Sequence, residues 1–396
     1  AFNGGTTVNA GTLILGVDDA LLASGAVAVN GGELSLGTTS QTVGAVTLVG
    51  GSIRGGSLTG SSYAVQSGVV ETILAGSAAL TKLGVGTVVL AGSNSYSGGT
   101  YVQDGELILG GNNLLNSTST AFVSGGTLNL GMATTSLGGL TMTGGLLANG
   151  TLNTSGAMSV RSGAITANLT GSGSLTKMDA GVVTISSSAS YTGGTAVNLG
   201  TLALVGSNVL YATGSLSLNG GLLDLGSVSQ STGNVTISGG KVSNGTLLSA
   251  AGFSLEAGVV DAQLAGGSVI KSTSGTLTLT IANALALAGS LTMNEGELNL
   301  GGVSTNAGSV TINGGLVSNG TLRSAVGFNL IGGTVASVLS GAGSVTKVGS
   351  GTVVLSGVND FTGGTRIADG VLYLGANDVL THTNNVTISG GTLDLG

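Results

Sequence analysis

Apolar residues occupy every second position in short runs that recur along the chain. Leu13 and Leu15, like Leu107 and Leu109, are separated by one residue, which is the period of a β-strand. Turn signals such as Asn-Gly, Gly-Gly and Ser-Gly separate these runs. No segment longer than about ten residues keeps the i, i+3, i+4 spacing of a helix without an interrupting glycine. We therefore predict an all-β chain with essentially no helix.

One phrase, Gly-x-Leu-x-Leu with a usual closing Gly, recurs through the sequence. Copies that begin at Gly11 and Gly32, and at Gly105 and Gly126, share one spacing of about 21 residues. Two or three short strands with their turns fit into that length, which is one coil of a β-helix. The copies are Gly11–Gly16, Gly32–Gly37, Gly105–Gly110, Gly126–Gly131, Gly221–Gly226, Gly296–Gly301, Gly370–Gly375, Gly391–Gly396 and, without the closing glycine, Gly200–Leu204.

Stacked coils of this kind form a parallel β-solenoid. We predict one right-handed parallel β-helix of about 19 rungs of about 20–21 residues, with rungs about 4.8 Å apart. Residues 1–396 then form one continuous solenoid with inward ladders of Leu, Val and Ile. A single rung cannot bury its own apolar face, so stability comes from the stack. An antiparallel β-prism or sandwich is the alternative, and the fixed register of the recurring phrase disfavours it.

A longer repeat of about 95 residues is superimposed on the rungs, since Tyr96–Thr100 returns as Tyr191–Thr195. Asn149 and Asn244 keep this longer spacing, but Asn319 follows Asn244 about 20 residues too early. This predicts one lost rung near residue 301, where a counterpart of Asn208–Asp224 is missing. Asn149, Asn244 and Asn319 each precede Gly-Thr, and we interpret them as Asn-Gly turns and not as glycan acceptors. The predicted super-repeats are approximately 2–95, 96–190, 191–285, 286–360 (shortened by one rung) and a partial copy over 361–396.

Composition and charge narrow the function. Apolar residues make up 41% of the chain, which argues against disorder. Only nine Lys and Arg occur and the net charge is −7, so we expect no nucleic-acid partner. No uninterrupted apolar run reaches about 18 residues, so we expect no membrane insertion of this segment. The sequence begins and ends within repeat units, and we expect a longer natural protein.

The run Gly76–Thr100 carries Leu-Thr-Lys, a Gly-x-Gly-Thr strand and Tyr-Ser-Gly-Gly-Thr. In this combination it resembles the autotransporter-associated β-strand repeat, and Gly171–Leu204 and Gly341–Gly375 resemble it equally. Gly266–Gly301 lacks the aromatic-Gly-Gly-Thr phrase, and Phe2–Gly16 matches the second half of the repeat. The resemblance implies a passenger region of a secreted or surface-displayed bacterial protein, and it does not imply an enzyme.

Candidate chemistry is sparse. The single histidine, His382, lies in a predicted turn, and without Cys or a second His a transition-metal site or Ser-His-Asp triad is disfavoured. A row of recurring lysines is either a cation row for an anionic glycan or, as we favour, an exposed structural device against edge pairing. The row consists of Lys82, Lys177, Lys271 and Lys347.

Carboxylates are the remaining candidates for catalysis, because β-helix enzymes use Asp and Glu clusters on one face. Recurrence at one repeat position indicates a solvated face, since an active site would break the repeat. The acidic pairs are Asp18/Asp19, Asp104/Glu106 and Glu295/Glu297, and the recurring position holds Glu33, Glu106 and Glu297.

We predict a structural and adhesive extracellular module, a rigid rod or filament-forming segment of a large bacterial surface or secreted protein. It is expected at the surface or outside of a Gram-negative-type bacterium, with no enzymatic activity and no catalytic, cofactor-binding or metal-binding residues. The expected partners are the chain itself, by lateral or end-to-end association, and host-surface or matrix glycans. The alternative is a carbohydrate-active β-helix enzyme (lyase or glycosidase) or a glycan-binding module, which three or more converging carboxylates would favour.

Overall fold

The computed structural model describes residues 4–286, 288–380 and 385–396. Within these residues only strands, turns and irregular segments occur, which confirms an all-β parallel β-solenoid of about 20 turns. The chain falls into two compact units, Ala1–Gly194 and Thr195–Gly396. That one continuous solenoid runs through both units stays a prediction.

Among its described residues, the first unit contains 26 strands of three or four residues each. They are β1 (Thr6–Val8), β2 (Thr12–Ile14), β3 (Val27–Val29), β4 (Glu33–Ser35), β5 (Ser40–Thr42), β6 (Ala45–Leu48), β7 (Ser52–Arg54), β8 (Ser57–Thr59), β9 (Ser62–Val65), β10 (Gly68–Val70), β11 (Ile73–Ala75), β12 (Leu80–Lys82), β13 (Thr87–Leu90), β14 (Thr100–Val102), β15 (Glu106–Leu109), β16 (Thr120–Val123), β17 (Thr127–Asn129), β18 (Thr134–Leu137), β19 (Gly139–Met142), β20 (Leu146–Ala148), β21 (Thr151–Thr154), β22 (Met158–Val160), β23 (Gly163–Ile165), β24 (Asn168–Gly171), β25 (Leu175–Lys177) and β26 (Val182–Ile185).

The second unit contains 23 strands among its described residues, five of which have nine or more residues. They are β27 (Thr195–Val197), β28 (Thr201–Leu204), β29 (Leu216–Leu218), β30 (Leu222–Thr232), β31 (Val235–Ile237), β32 (Lys241–Ser249), β33 (Phe253–Leu255), β34 (Gly258–Gly266), β35 (Val269–Lys271), β36 (Thr276–Leu279), β37 (Leu291–Met293), β38 (Glu297–Asn299), β39 (Ser304–Ile312), β40 (Leu316–Ser318), β41 (Thr321–Leu330), β42 (Gly333–Val335), β43 (Val338–Ser340), β44 (Ser344–Lys347), β45 (Thr352–Leu355), β46 (Thr365–Ile367), β47 (Val371–Leu374), β48 (Val386–Ile388) and β49 (Thr392–Asp394).

Each rung contributes one strand to each of two faces, and the strands within a face pair in parallel. In the first unit, face one runs β1-β3-β6-β9-β12-β14-β16-β19-β22-β25, and face two runs β2-β4-β7-β10-β13-β15-β17-β20-β23-β26. In the second unit, face one begins at β27 and β29 and face two at β28 and β30. A third side carries short sheets only in some rungs, β5-β8-β11 and β18-β21-β24.

Rung length depends on how the third side is closed. Thr6 pairs with Val27, Val27 with Val46, and Val46 with Tyr63, so each of these rungs is shorter than the one before it. Side-chain hydrogen bonds in the same stretch join residues 21, 19 and 17 residues apart. The two shorter rungs contain β5 and β8, whereas the longest closes with an irregular loop. An extended strand spans a side with the fewest residues, because it rises about 3.3 Å per residue. The predicted spacing of 21 residues therefore belongs to the looped rungs.

In the second unit, the long strands bend from one face to the next. β30 pairs with β32 on both sides of a register shift between Asp224 and Val228, where the backbone turns the corner. β32 and β34 repeat this arrangement, and β39 and β41 do so at another corner. The second halves of β30 and β32 form the third side of their rungs, and the first halves of β39 and β41 do so in theirs.

The lost rung lies earlier than the predicted position near residue 301. In the loop after β36, the backbone N–H of Asn283 donates to the carbonyl of Ser304. Asn208 makes the equivalent bond to Ser229, so Asn283 is the counterpart of Asn208 and that rung is present. Strand β35 pairs directly with β37. In the complete copies, a strand from the aromatic-Gly-Gly-Thr phrase, such as β14 or β46, pairs with the lysine strand. The prediction of the position was therefore wrong: the missing rung is the one that carries this phrase.

Alternating leucines build the core. Leu107, Leu128 and Leu147 pair in register on successive rungs of face two and are fully buried, whereas Ile108 lies on the outer side of its strand. Burying each such side chain contributes about 1.5–3 kcal/mol relative to exposure. The residue between two inward leucines lies on the outer side because successive side chains of a strand point to opposite sides.

Asn-Gly turns form where the sequence predicts them. Asn149, Asn244 and Asn319 adopt φ values of 57°, 61° and 53°, the left-handed region that Asn tolerates better than most residues. Each lies inside a stack of turns, and Asn149 Nδ2 donates to Asn129 Oδ1 of the rung before it at 2.9 Å. These residues therefore form turns, as the sequence predicts, and their side chains also bond to the rung before.

The aromatic residue of the Tyr-Ser-Gly-Gly-Thr phrase is part of the core. Tyr96 is fully buried, and its hydroxyl lies 2.7 Å from Thr100 Oγ1. Burial raises the pKa of Tyr96 well above its usual range, so the hydroxyl keeps its proton. In the last copy of the phrase, Phe361 is equally buried but has no hydroxyl. Among the described residues, Thr365 Oγ1 accordingly has no hydrogen-bond partner.

Candidate functional site

The recurring lysines lie inside the solenoid. Lys82 ends strand β12 of face one, and period-two alternation directs it inward with Leu80. Its side chain is fully buried, and Nζ donates to the carbonyl oxygens of Leu83 (2.9 Å), Gly84 (2.6 Å) and Asp104 (3.0 Å). These carbonyls belong to the corners of two successive rungs, so one ammonium group joins both corners.

The same arrangement, which we call the lysine clip, recurs in the second unit. Lys347 Nζ donates to the carbonyls of Val348 (2.8 Å), Gly349 (2.6 Å) and Asp369 (3.1 Å). Lys271 Nζ donates to Thr273 O and, at 3.3 Å, to Glu295 O. Lys177 Nζ, at the end of the first unit, donates to Met178 O at 2.7 Å and Asp179 O at 2.6 Å.

The clip explains the glycine that opens the Gly-x-Leu phrase of the next rung. Gly105 has a φ of 61°, and a Cβ built there would lie 2.5 Å from Lys82 Nζ and 2.4 Å from the carbonyl oxygens of Gly84 and Gly86. Gly370 stands over Lys347 in the same way. A side chain at this position would collide with the clip and with the corner below it.

Burial in the corner lowers the pKa of Lys82, and the nearby Asp104 carboxylate partly opposes this shift. The same cause lowers the pKa of Lys347, with Asp369 opposing. The expectation of exposed lysines was wrong, because the corner carbonyls need donors and the ammonium groups reach them through the core. A surface row of these cations for an anionic ligand is excluded for the same reason.

The carboxylates are spread over the surface and engaged in contacts between rungs. Glu33 forms an ion pair with Arg54 (3.4 Å), and Arg54 forms another with Glu71 (3.3 Å). Glu106 accepts from Asn129 Nδ2 at 2.7 Å, and Glu297 accepts from Ser318 Oγ at 2.6 Å. Glu33, Glu106 and Glu297 each begin a face-two strand, so the sequence placed them correctly at one repeat position.

The other predicted acidic residues act mainly through turns. The carboxylates of Asp18 and Asp19 accept backbone N–H groups of Ser40 and Thr42 on the next rung at 2.8 and 3.2 Å. Asp104 and Glu295 offer their backbone carbonyls to lysine clips. His382 lies outside the described residues. Among the described residues, no group of three His, Cys, Asp or Glu side chains could hold a metal ion.

The outward row of face one is the position between the two inward residues of each face-one strand. In both units its side chains are mostly short, and two consecutive aromatic residues in the first unit depart from that pattern. In the first unit the row reads Thr7, Ala28, Thr47, Ala64, Thr81, Tyr101, Phe122, Thr141, Ser159 and Thr176. In the second unit it reads Ala196, Ser217, Thr236, Ser254, Ile270, Thr292, Thr311, Asn329, Thr346, Arg366 and Thr387.

Tyr101 and Phe122 pair directly across β14 and β16, and their rings stack with centroids 4.5 Å apart and planes 5° from parallel. Both are partly exposed. The repeat pattern of the sequence did not predict this pair. The available signal was their separation by one looped rung, combined with Ala196 and Ser217 at the same places of the next super-repeat.

Comparisons with known proteins agree with the predicted resemblance. Four segments match the family model of the passenger-associated-transport-repeat: residues 1–15, 80–109, 175–204 and 345–374. Lys82 and Gly105, the two halves of one clip, lie within the second of these segments. The resemblance to the autotransporter-associated repeat is thereby confirmed. No curated protein and no solved structure matches the chain. Within the described residues, no helix could span a membrane.

Proposed function

Since this chain carries four matches to the passenger-associated-transport repeat, we propose that it is a structural and adhesive module of a larger passenger protein. The protein is secreted by a Gram-negative bacterium or displayed on its surface. In it, the chain acts as a rigid rod or filament-forming segment that associates with further copies and binds matrix or host-surface glycans. The family and the β-solenoid fold both support this role.

The lysine clip is the main observation that supports this proposal. An enzyme brings unlike residues together at one place, whereas here the marked residues recur once per super-repeat. Lys82 and Lys347 make equivalent sets of three hydrogen bonds to corner carbonyls. Residues that recur in this way stabilise every copy of the repeat equally, which is the requirement of an element that spaces other parts or resists mechanical force.

Surface chemistry gives independent support for association through large, weakly charged faces. Only 6% of residues are charged, and the outward row of face one is dominated by Thr, Ser and Ala. Short side chains of this kind let flat surfaces approach closely. A low charge density also reduces the electrostatic repulsion between copies of one chain.

Surface display tests the proposal. We would place the 396-residue chain between a secretion signal and the membrane barrel of an autotransporter in a Gram-negative host, with an epitope at its N-terminus. We expect antibody labelling of intact cells, and faster settling or stronger retention on matrix-coated plates than for cells that carry the barrel alone. Retention of the epitope inside the cell would contradict the passenger role, and display without any gain in adhesion would contradict the adhesive role.

A further inference from the structure

The stacked pair Tyr101 and Phe122 interrupts a row that is otherwise composed mostly of Thr, Ser and Ala. The equivalent positions of the next super-repeat hold Ala196 and Ser217, and those of the last copy hold Arg366 and Thr387. The fold therefore does not require aromatic rings at these positions. In a molecule whose marked residues otherwise follow the repeat, this departure from it identifies a local site.

The aromatic stack ends abruptly at the next rung. Phe122 pairs with Thr141 of β19, so one face of its ring lies on Tyr101 and the other faces the space above a short side chain. A cleft of about 180 Å³ runs along these three rungs, and both rings and Thr141 contribute to its lining. Pockets for drug-sized ligands measure about 300–1,000 Å³, so this cleft suits one ring-sized group.

Polar groups flank the cleft on one side. Gln103, Ser124 and Thr143 follow the ends of β14, β16 and β19, and they line the cleft together with Thr141. The set comprises one amide and three hydroxyls, each able to donate and accept hydrogen bonds, and the lining contains no charged side chain. An apolar ring face beside a line of neutral hydrogen-bonding groups matches a ligand with an apolar face and a hydroxylated edge.

We infer that Phe122, stacked on Tyr101, binds a pyranose ring of a neutral glycan in this cleft. The inference rests on the proposed adhesive function and names its ligand class. The axial C–H groups of a pyranose carry partial positive charge and pack against the negative face of an aromatic ring. The sugar hydroxyls then reach Gln103, Ser124 and Thr143. The ligand ring lies in the cleft against the exposed part of the Phe122 ring.

A protein partner fits this site less well. Stable protein interfaces bury about 1,200–2,000 Å² in total and have an apolar centre. The rings of Tyr101 and Phe122 are flanked along their row by Thr81 and Thr141, so the apolar stretch of this row is limited to the pair. A second copy of this chain would meet the same limit. A single sugar ring needs no larger apolar surface.

Binding can be measured directly at Phe122. The chain has five phenylalanines, of which Phe253, Phe328 and Phe361 are buried. In ring-labelled protein the Phe122 signal is therefore told apart from that of Phe2 by its loss in Phe122→Ser. We would titrate the 396-residue chain with cellohexaose, mannohexaose and chitohexaose, with hexagalacturonate as the anionic comparison. We expect at least one neutral hexasaccharide to shift the Phe122 signal with a Kd on the order of 0.1–1 mM, typical of a single shallow subsite.

Two variants separate the ligand site from a structural role of the rings. Tyr101→Ala with Phe122→Ser installs the residues found at the same places in the next super-repeat, so the rung keeps a side-chain set that this solenoid already uses. Thr141→Phe leaves both rings in place and fills the cleft with a third ring. We expect each variant to raise the Kd of the bound hexasaccharide at least about tenfold, measured by calorimetry. If the double variant does not fold, Thr141→Phe decides the question alone.

Several results would overturn the inference. The first is that none of the neutral hexasaccharides binds at about 10 mM. The second is that Thr141→Phe binds the hexasaccharide with unchanged affinity, and the third is that hexagalacturonate binds equally well. Self-association of the wild-type chain that disappears in the double variant, measured by sedimentation, would assign the rings to a second copy instead. None of these results bears on surface display, so this site can fail while the passenger role stands.

Discussion

Replacing Lys82 by Met tests whether the lysine clip holds the corners together. Met keeps most of the buried stem but removes the donor from the carbonyls of Leu83, Gly84 and Asp104. An acceptor left without a donor costs about 1–3 kcal/mol where water cannot reach it, and less at a partly exposed corner. Relief from burying an ammonium group, itself a penalty of several kcal/mol, offsets part of that cost. We expect a net loss of about 3 kcal/mol in the free energy of unfolding.

The matched control is Lys241→Met. Lys241 is a partly exposed lysine that pairs with Asp261 at 2.6 Å, and exposed ion pairs contribute about 0–1 kcal/mol. Both variants lose one positive charge and gain the same side chain, so their difference isolates the clip. Guanidinium unfolding followed by circular dichroism gives the free energies, and amide exchange at Leu83 and Gly84 reports local opening of the corner. A Lys82→Met chain no less stable than Lys241→Met would refute the structural role of the clip.

Three further predictions concern the same core. Because burial lowers the pKa of Lys82 below its ordinary 10.5, the unfolded chain holds this proton to higher pH. As the pH increases from the lowered pKa to 10.5, the free energy of unfolding should therefore rise, and it should rise less in Lys82→Met. Urea unfolding at a series of pH values from neutral to alkaline measures this. An equal change in both chains would contradict it. Tyr96→Phe removes the hydrogen-bond partner of Thr100 Oγ1 and should lower the free energy of unfolding by about 1 kcal/mol. Phe361→Tyr should raise it by a similar amount, because the new hydroxyl can bond Thr365 Oγ1. Thermal unfolding in which both variants shift stability in the same direction would contradict this. Gly105→Ala should lose about 3 kcal/mol or more, because a positive φ and contacts with two carbonyls and Lys82 Nζ all oppose a Cβ, while Gly4→Ala, where a Cβ meets nothing within 4 Å, should be nearly neutral in the same denaturation assay.

The sequence by itself determined the repeating architecture. Alternation of period two assigned the strands, the glycine and asparagine turns marked the corners, and the constant spacing of the Gly-x-Leu-x-Leu phrase required stacked coils. These features are local, and a solenoid repeats local relations, so reading one rung correctly predicts the others. The inward position of Leu107 and Leu109 and the turn at Asn149 needed no more than this.

Only the tertiary structure decided what the marked residues do. Lys82 shares the inward parity of Leu80, which the sequence could have shown, but the carbonyls that receive its ammonium group come from two rungs that meet only when stacked. Looped rungs and strand-closed rungs also differ in length. A constant spacing along the sequence therefore could not show which residues stack on one another in successive rungs. Tyr101 and Phe122 are distant in sequence and form one stack because a single looped rung separates them and brings them into register.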